Sequence, residues 1–430
     1  MLTVAPPALK LVAPARPPSE RGRYPSHSRL LTPLEPEGYG PRRMQAASEV
    51  AWHLLTGEYP PQPGGVSDYT RLIARELARR GAEVHVWAPG DAGETQEDGV
   101  TVHRAPGLFT PTGLVGLTRG LNRCRGPRRL LLQYVPHAFG LKAMNVPFCA
   151  WFAARRRDER WVFFHEVVYP WSLGDPLRHQ LLAGTTRVML RLVAGAADRT
   201  FISIPTWGEH LPARIRRHTE WRPVPSNFPT EVPPEAVARV RAELGEGLLL
   251  GHFGTYGAAT SGMLEHSLAP LLRADPHRRV LLLGRGSEAW RKQLIGRHPE
   301  LSSQLLPRDS LEPDALAAHL SVCGLLIQPY VDGVSTRRGT TMASLALGCP
   351  VVTNTGHLTE PLWPGLGAVS LVEGTDPAAL TQAAERLLAH PEERAALGAQ
   401  AAKVYQERFS LERTMEVLLG PAPSTRGERA

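Results

Sequence analysis

Cysteine is scarce in this chain: four in 430 residues, at Cys124, Cys149, Cys323 and Cys349. No two form a C-x-x-C pair, which excludes a metal knuckle or a dithiol redox motif of that spacing. A scattered set of this kind fits a reducing compartment, and the cytosol is the expected one. Long apolar runs are missing too. The longest, allowing Pro147, is Val146 to Ala154, well short of the ~20 residues of a spanning helix. The first 44 residues lack the continuous apolar core of a signal peptide. They are rich in Pro, Arg and Ser, so residues 1–45 are expected to be a disordered extension, with translation from Met44 as an alternative start. The tail "PAPSTRGERA" at 421–430 has the same character. No G-x-G-x-x-G fingerprint is present, which argues against a nicotinamide dehydrogenase.

Acidic charge is outnumbered. The formal net charge is +8, concentrated in "RCRGPRRL", "ARRRDERW" and "ARIRRH". Such clusters suit an anionic membrane surface, an acidic substrate or nucleic acid, or are simply a solvated face. With no aromatic-interleaved RNA signature and no zinc-finger spacing, nucleic acid is not an expected partner. The remaining composition, 42% hydrophobic and 21% charged, is that of an ordinary soluble enzyme. At 430 residues the chain exceeds what one core usually serves, so two domains are expected.

From Glu49 onward short apolar runs alternate with amphipathic stretches. "VAWHLLT" reads as a strand. "SDYTRLIARELARRG" reads as a helix capped by Ser67 or Asp68, with Glu76 and Arg80 spaced to pair. "AEVHVWAP" reads as the next strand. Strand, helix and strand within 50 residues specify a parallel βαβ unit. Further strands are expected at "RRLLLQYV", "RWVFFHEV" and "RTFISIP". The Pro-rich start of Arg222–Gly247 reads as a linker. A second series follows, with strands at "GLLLGHFG", "RRVLLLGRG", "GLLIQPY" and "PVVTNTG", and helical sequence from Asp376 to the end. The expected fold is α/β, with two Rossmann-like doubly wound domains facing a cleft. The domain limits are placed at 46–225 and 226–420, with the last helices able to pack back on the first domain.

In open α/β sheets, ligands bind beyond the C-terminal ends of strands. Five stretches sit there. "GEYPPQPGGVSDYT" brings Gly64, Gly65 and Asp68 to a helix start, a place that favours close backbone approach and negative charge, or else makes a plain turn. "WVFFHEV" leaves His165 just past a strand, as a cleft group or a satisfied structural histidine. "GHFGTYG" and "LGRG" place Gly254, Thr255 and Arg285 beside a diphosphate, or in simple turns. "VDGVSTRRGTTMASLALGCPVV" gathers Asp332, Arg337, Arg338, Gly339, Thr340 and Thr341 at the start of another helix. An arginine fork with a helix N-terminus and threonine hydroxyls makes a phosphate cradle. The alternative is a capped helix with solvated arginines.

The run "TGEYPPQPGGVSDYTRLIARELARRGAEVHVWAP" resembles the opening of the GT-B glycosyltransferases, specifically the retaining group called family 4. The likeness extends over most of Ala51 to Leu419. It implies a nucleotide-diphosphate sugar as donor on the C-terminal domain. It also implies a glycan, lipid-linked or small-molecule acceptor on the N-terminal one. His165 matches the family's cleft histidine. Family members carry two glutamates with seven residues between them before "G-x-P-V-V". Here those positions hold Ser335 and Ala343, and Asp332 is the nearest acid. The basic pair that many members carry after the first strand of the second domain is also missing. The resemblance therefore implies Arg338 and Arg337 as leaving-group stabilisers, with Asp332 in place of the first glutamate. "TNTGHLTEPLW" is similar to the family's G-G-x-x-E turn and makes Glu360 a candidate contact to a donor hydroxyl. No D-x-D triplet occurs, so transfer without a metal or other cofactor is expected, with retention by analogy. A catalytically degenerate binding subunit and a GT-B sugar-nucleotide epimerase are the alternatives. The expected location is cytoplasmic, with peripheral contact at an anionic inner-membrane surface.

Overall fold

Apolar runs without polar alternation belong to strands covered on both faces. In the computed structural model of the chain, which describes residues 50–420 apart from Leu173, these runs form two mostly parallel sheets. The first contains β1 (Ala51–Leu55), β2 (Val84–Pro89), β3 (Gly93–Glu97), β4 (Val100–Ala105), β5 (Arg128–Tyr134), β6 (Glu159–Phe164), β7 (Arg199–Ile202) and β8 (Thr219–Trp221). Its strand order is β3-β4-β2-β1-β5-β6-β7-β8, and only β3 runs antiparallel, to β4. The second contains β9 (Leu249–Phe253), β10 (Arg279–Leu283), β11 (Leu305–Arg308), β12 (Cys323–Gln328), β13 (Val351–Asn354) and β14 (Ser370–Val372). It is ordered β11-β10-β9-β12-β13-β14. The disordered extension and tail expected at residues 1–45 and 421–430 lie outside the described residues.

In both sheets the strand order reverses beside the first strand, between β1 and β5 and between β9 and β12. A crevice opens at such a point, at the C-terminal ends of the strands. One face of the first sheet buries Leu55, Leu130, Leu132 and Phe164 against Leu114, Phe148, Met189 and Val193. The other packs Trp52, Leu54 and Val86 on Ile73 and Leu77 of the helix Gly65–Arg79. Met415 and Leu418 of the helix Leu411–Leu419 join that same cluster, so the chain's last described helix returns to the first sheet. Arg199 Nη1 donates to the Val417 carbonyl at 2.9 Å and fixes it there. Among the described residues no helix is long and apolar enough to cross a membrane.

Two local expectations need correction. The helix after β1 begins at Gly65, with Gly64 as its N-cap, and not at Ser67 or Asp68. The cause is Glu58, whose Oε1 accepts from the N–H groups of both Val66 and Ser67 at 3.1 Å. That carboxylate sets the N-cap three residues before the earlier of the two expected caps. Also unforeseen are β3, β4, β8, β11 and β14. β3 is the exposed, polar GETQE, and β8 and β14 are three residues each, so none of these three shows an apolar period.

Candidate functional site

The segment after β12 is held from three sides. Gly333 has φ +84°, and a Cβ there would overlap the backbone of Gly356, so only glycine lets the turns after β12 and β13 cross. Thr336 next reaches the first sheet. Its Oγ1 donates to the Ser203 carbonyl at 3.1 Å, and its carbonyl accepts from Val224 N–H at 3.0 Å. Glu360 closes the third side. Its two oxygens accept from Thr336 N–H at 2.9 and 3.2 Å, from the Thr336 hydroxyl, and from Trp363 Nε1 at 2.7 Å. Glu360 is 1% exposed. Burial holds its carboxyl above the usual range, against the pull of the Thr336 and Trp363 hydrogen bonds. The expectation that Glu360 contacts a donor hydroxyl is thus overturned: both oxygens serve the chain itself, and the residue positions the loop.

Fixed in this way, Arg337 and Arg338 converge on Asp332. Arg337 Nη2 lies 3.1 Å from Asp332 Oδ2, and Arg338 Nη2 donates to Oδ1. Arg337 also approaches Glu166 Oε1 at 3.9 Å and lies over the Trp207 ring. Arg338 lies over Tyr330, 4.7 Å from its centroid. The Nε atoms of both arginines are buried and have no acceptor among the described residues. Arg338 is the N-cap of the helix Gly339–Ala346. The first bond along that helix runs from Met342 N–H to the Arg338 carbonyl, which leaves the N–H groups of Gly339, Thr340 and Thr341 aimed out of its end. The threonine hydroxyls are a second correction. Both bond to Tyr330 Oη, at 2.7 and 2.8 Å, and Thr341 is fully buried. The donors left open at this helix end are backbone N–H and guanidinium groups, without the hydroxyls.

Across the groove, Gly339 faces Asn227 Oδ1, and Asn227 Nδ2 donates to Asp68 Oδ2 at 3.1 Å. Burial raises the Asp68 carboxyl, partly offset by Arg71 and Asn227. The next residue, Tyr69, meets His165 edge-on at 4.9 Å. His165 Nε2 lies 2.7 Å from Gln133 Oε1, which places the ring proton on Nε2 and leaves Nδ1 as an acceptor. Burial depresses its pKa to about 3. The ring is therefore uncharged near neutrality. Glu166 bonds His137 at 3.4 Å. Its carboxyl sits below the usual range because His137 and Arg337 outweigh the burial that opposes them.

The remaining candidates are Gly64, Gly65, Gly254, Thr255 and Arg285. Gly64 does not open the backbone to a ligand. A Cβ there would overlap Glu58, and the helix N-terminus that was expected to attract an anion already holds the Glu58 carboxylate. Gly65 is unobstructed. Gly254, Thr255 and Arg285 meet in a corner beyond β9 and β10, where a Cβ on Gly284 would overlap the Gly254 carbonyl. Thr255 and Arg285 are exposed. Sequence reasoning missed Glu58, Gln133, Trp207 and Asn227. No local pattern marks them; each matters only because a distant segment folds beside it. The two family glutamate positions are buried: Ala343 packs in the core of the second sheet, and Ser335 Oγ has no partner.

Residues 64–227 match a family model described as a glycosyl transferase 4-like domain. No curated protein matches the chain in sequence. Among solved structures, the chain is similar to sucrose-phosphate synthase from Thermosynechococcus elongatus, with 17% identity, 86% of this chain and 98% of that chain covered, and a TM-score of 0.64. It is also similar to HepE from Anabaena in complex with UDP and glucose, with 16% identity, coverages of 87% and 100%, and a TM-score of 0.61. A third is WaaG, a glycosyltransferase involved in lipopolysaccharide biosynthesis, with 15% identity, coverages of 86% and 100%, and a TM-score of 0.59. These likenesses place the two sheets in the GT-B fold.

Proposed function

We propose that this chain, a glycosyltransferase of the GT-B fold with a 4-like domain at 64–227, moves a hexosyl group from a uridine-diphosphate sugar to a hydroxyl of a glycan or lipid-linked acceptor. The donor sits against the second sheet and the acceptor against the first. The carrying observation is the pair of buried, acceptorless Nε–H groups on Arg337 and Arg338 beside the open end of the helix Gly339–Ala346. Buried donors normally have partners, and a diphosphate supplies oxygens in the right number. As the bond from the anomeric carbon to the diphosphate breaks, negative charge grows on the leaving oxygen. Preorganised guanidiniums and helix N–H groups stabilise that charge more than they stabilise the ground state, so the side chains meet it without a metal. Asp332 holds the two like-charged guanidiniums together until the diphosphate takes its place. Neutral His165 orients a sugar hydroxyl through Nδ1. Closure of the two sheets over the groove keeps out water, the competing acceptor. Retention of anomeric configuration rests on family likeness.

The choice of uridine follows from HepE, solved with UDP. For the acceptor, a lipid-linked molecule fits the exposed Trp171, Leu177 and Leu181, with the exposed Arg178 next to Leu177 at the start of the helix Leu177–Ala196 and the Arg187 guanidinium 5.3 Å from the Trp171 ring centroid. An apolar strip edged by cations suits an anionic bilayer surface. Titration calorimetry with UDP-glucose and UDP tests the donor site. Arg338→Ala removes a charge-assisted bond of about 1.5–3 kcal/mol, so affinity is expected to fall about 10- to 100-fold. Unchanged affinity would refute the assignment. Tight UDP binding with neither transfer nor hydrolysis would instead mark a catalytically degenerate binding subunit.

A further inference from the structure

On the first sheet, away from the groove, β2, β3, β4 and the residue before β2 bring titratable side chains into one chain of contacts. Glu83 Oε1 lies 3.0 Å from His85 Nε2. His85 Nδ1 lies 3.0 Å from His103 Nε2. His103 Nδ1 lies 3.0 Å from Glu94 Oε2. Each contact joins two atoms that are lone-pair acceptors unless a proton sits between them. Three contacts therefore need three protons, and two neutral imidazoles carry two. One further positive charge must be shared along the chain, either a third proton or a metal ion.

The surroundings place that charge at the Glu83 end. Cys124 Sγ is 3.9 Å from His85 Nε2. His53 lies beside both: one ligand atom each from His53, His85 and Cys124 fall within 4.8 Å of one another. His53 adds a separate signal. Trp87 Nε1 donates to His53 Nδ1 at 3.1 Å, so the ring's own proton is on Nε2. That atom is buried without a partner in a residue that is 0% exposed. A buried ring nitrogen lacking any partner is uncommon and calls for an explanation.

We propose that His53, Glu83, His85 and Cys124 form a binding site for a zinc-like divalent cation. Thiolate, imidazole and carboxylate are the ligand types such an ion takes in tetrahedral sites. Bond lengths of ~2.0–2.3 Å set ligand atoms about 3.3–3.6 Å apart. Glu83 Oε1 at 3.0 Å and Cys124 Sγ at 3.9 Å from His85 Nε2 bracket that range; the His53 ring stacks on His85 at 4.7 Å and 8°, so its Nε2 reaches the same ion once one ring rotates out of the stack. With the cation on His85 Nε2, the contacts beyond it fall into order: His85 Nδ1–H donates to His103, and His103 Nδ1–H donates to Glu94. A carboxylate at the end of a histidine relay is the usual support for a ligating imidazole. Binding releases the Cys124 thiol proton and the third proton of the Glu83–His85–His103–Glu94 chain, and the His53 proton moves from Nε2 to Nδ1. The Trp87 indole N–H must then turn away from His53, while its ring remains near His103, on which it stacks at 3.9 Å. The ion enters through an adjoining pocket of about 840 Å³ lined by Thr101, Gly116 and Gly120. Once bound, it ties the β3–β4 hairpin and the end of the helix Pro111–Arg123 to β1 and β2.

The test uses the untagged full chain, stripped with chelator and dialysed against dilute zinc sulfate. About one zinc per chain is expected, with a rise in Tm and a change in tryptophan emission that Trp87→Phe removes. Cobalt(II) in place of zinc is expected to give a thiolate charge-transfer band that Cys124→Ser abolishes, since the other three cysteines are buried. His103→Gln, which touches only the relay, is expected to weaken zinc about 10- to 100-fold. Stoichiometry below about 0.1, or the same uptake by Cys124→Ser, overturns the proposal and assigns the third positive charge to a proton. The stoichiometry of the unmutated chain decides the matter even if a variant fails to fold.

Discussion

Glu360 offers the sharpest test of how the arginine loop is held. Replacing it by alanine leaves Thr336 N–H and Trp363 Nε1 buried with no acceptor. The Thr336 hydroxyl keeps Ser203. Each orphaned donor costs about 1–3 kcal/mol. Burial already holds the Glu360 carboxyl above its ordinary pKa, so removing the charge offsets part of that loss. A net destabilisation of about 3 kcal/mol is expected for Glu360→Ala. Glu360→Gln is milder: its amide oxygen serves Thr336 while its NH₂ faces the Trp363 N–H, one donor against another, at about 1–2 kcal/mol. Because Thr336 directly precedes Arg337, the loosened loop also disperses the guanidiniums, and UDP affinity in the alanine variant is expected to drop about tenfold. Urea unfolding at pH 7 gives the first quantity and calorimetry the second. If Glu360→Ala unfolds within about 0.5 kcal/mol of the parent and binds UDP equally well, Glu360 does not hold this loop and the reasoning fails.

Other outcomes follow from the same geometry. Asp332→Asn removes the carboxylate that competes with a diphosphate for Arg337 and Arg338; UDP binding is expected to tighten about 3- to 10-fold, and weaker binding would show that Asp332 instead helps to hold the ligand. Gly64→Ala drives the Glu58 carboxylate off the helix it caps, with a loss of about 1–2 kcal/mol in urea unfolding, and an unaltered midpoint would contradict this capping. His165 titrates near 3 in the fold against an ordinary 6.5, so below pH 6.5 the unfolded chain binds the extra proton and stability falls as pH falls. Set beside His165→Gln, the parent is expected to lose about 2 kcal/mol more between pH 7 and pH 5; parallel stability curves would rule this out.

Much of the architecture was legible in the sequence because parallel strands buried on both faces are written as plain apolar runs. β1, β2, β5, β6, β9, β10, β12 and β13 all coincide with such runs, and the helix at Gly339 starts where Arg338 and its glycine suggested. What escaped was short, polar or at an edge, as with β3 and β14. The positions of the two arginines were legible as well. The partners of each group were not, because a partner can come from anywhere in the chain: Glu360 serves Thr336 across 24 residues, and Asn227 serves Asp68 across 159.

The misassigned residues share one physical cause. Local sequence displays the donors of a phosphate site, namely glycines, helix starts, hydroxyls and guanidiniums, but hides which of them the chain has already engaged. At the helix Gly65–Arg79 the Glu58 carboxylate takes the N–H groups that a ligand would have used. Tyr330 takes the hydroxyls of Thr340 and Thr341. Asp332 takes one edge of each guanidinium and leaves each Nε–H without an acceptor. Of the three, only the last leaves donors still unsatisfied. A helix start already capped by its own carboxylate gains little from an incoming anion, since one set of hydrogen bonds merely replaces another. A guanidinium pair that is half satisfied gains bonds it lacks. That difference, and not the count of basic or glycine residues nearby, is the ground on which the proposal puts a diphosphate at the end of β12 rather than at the end of β1.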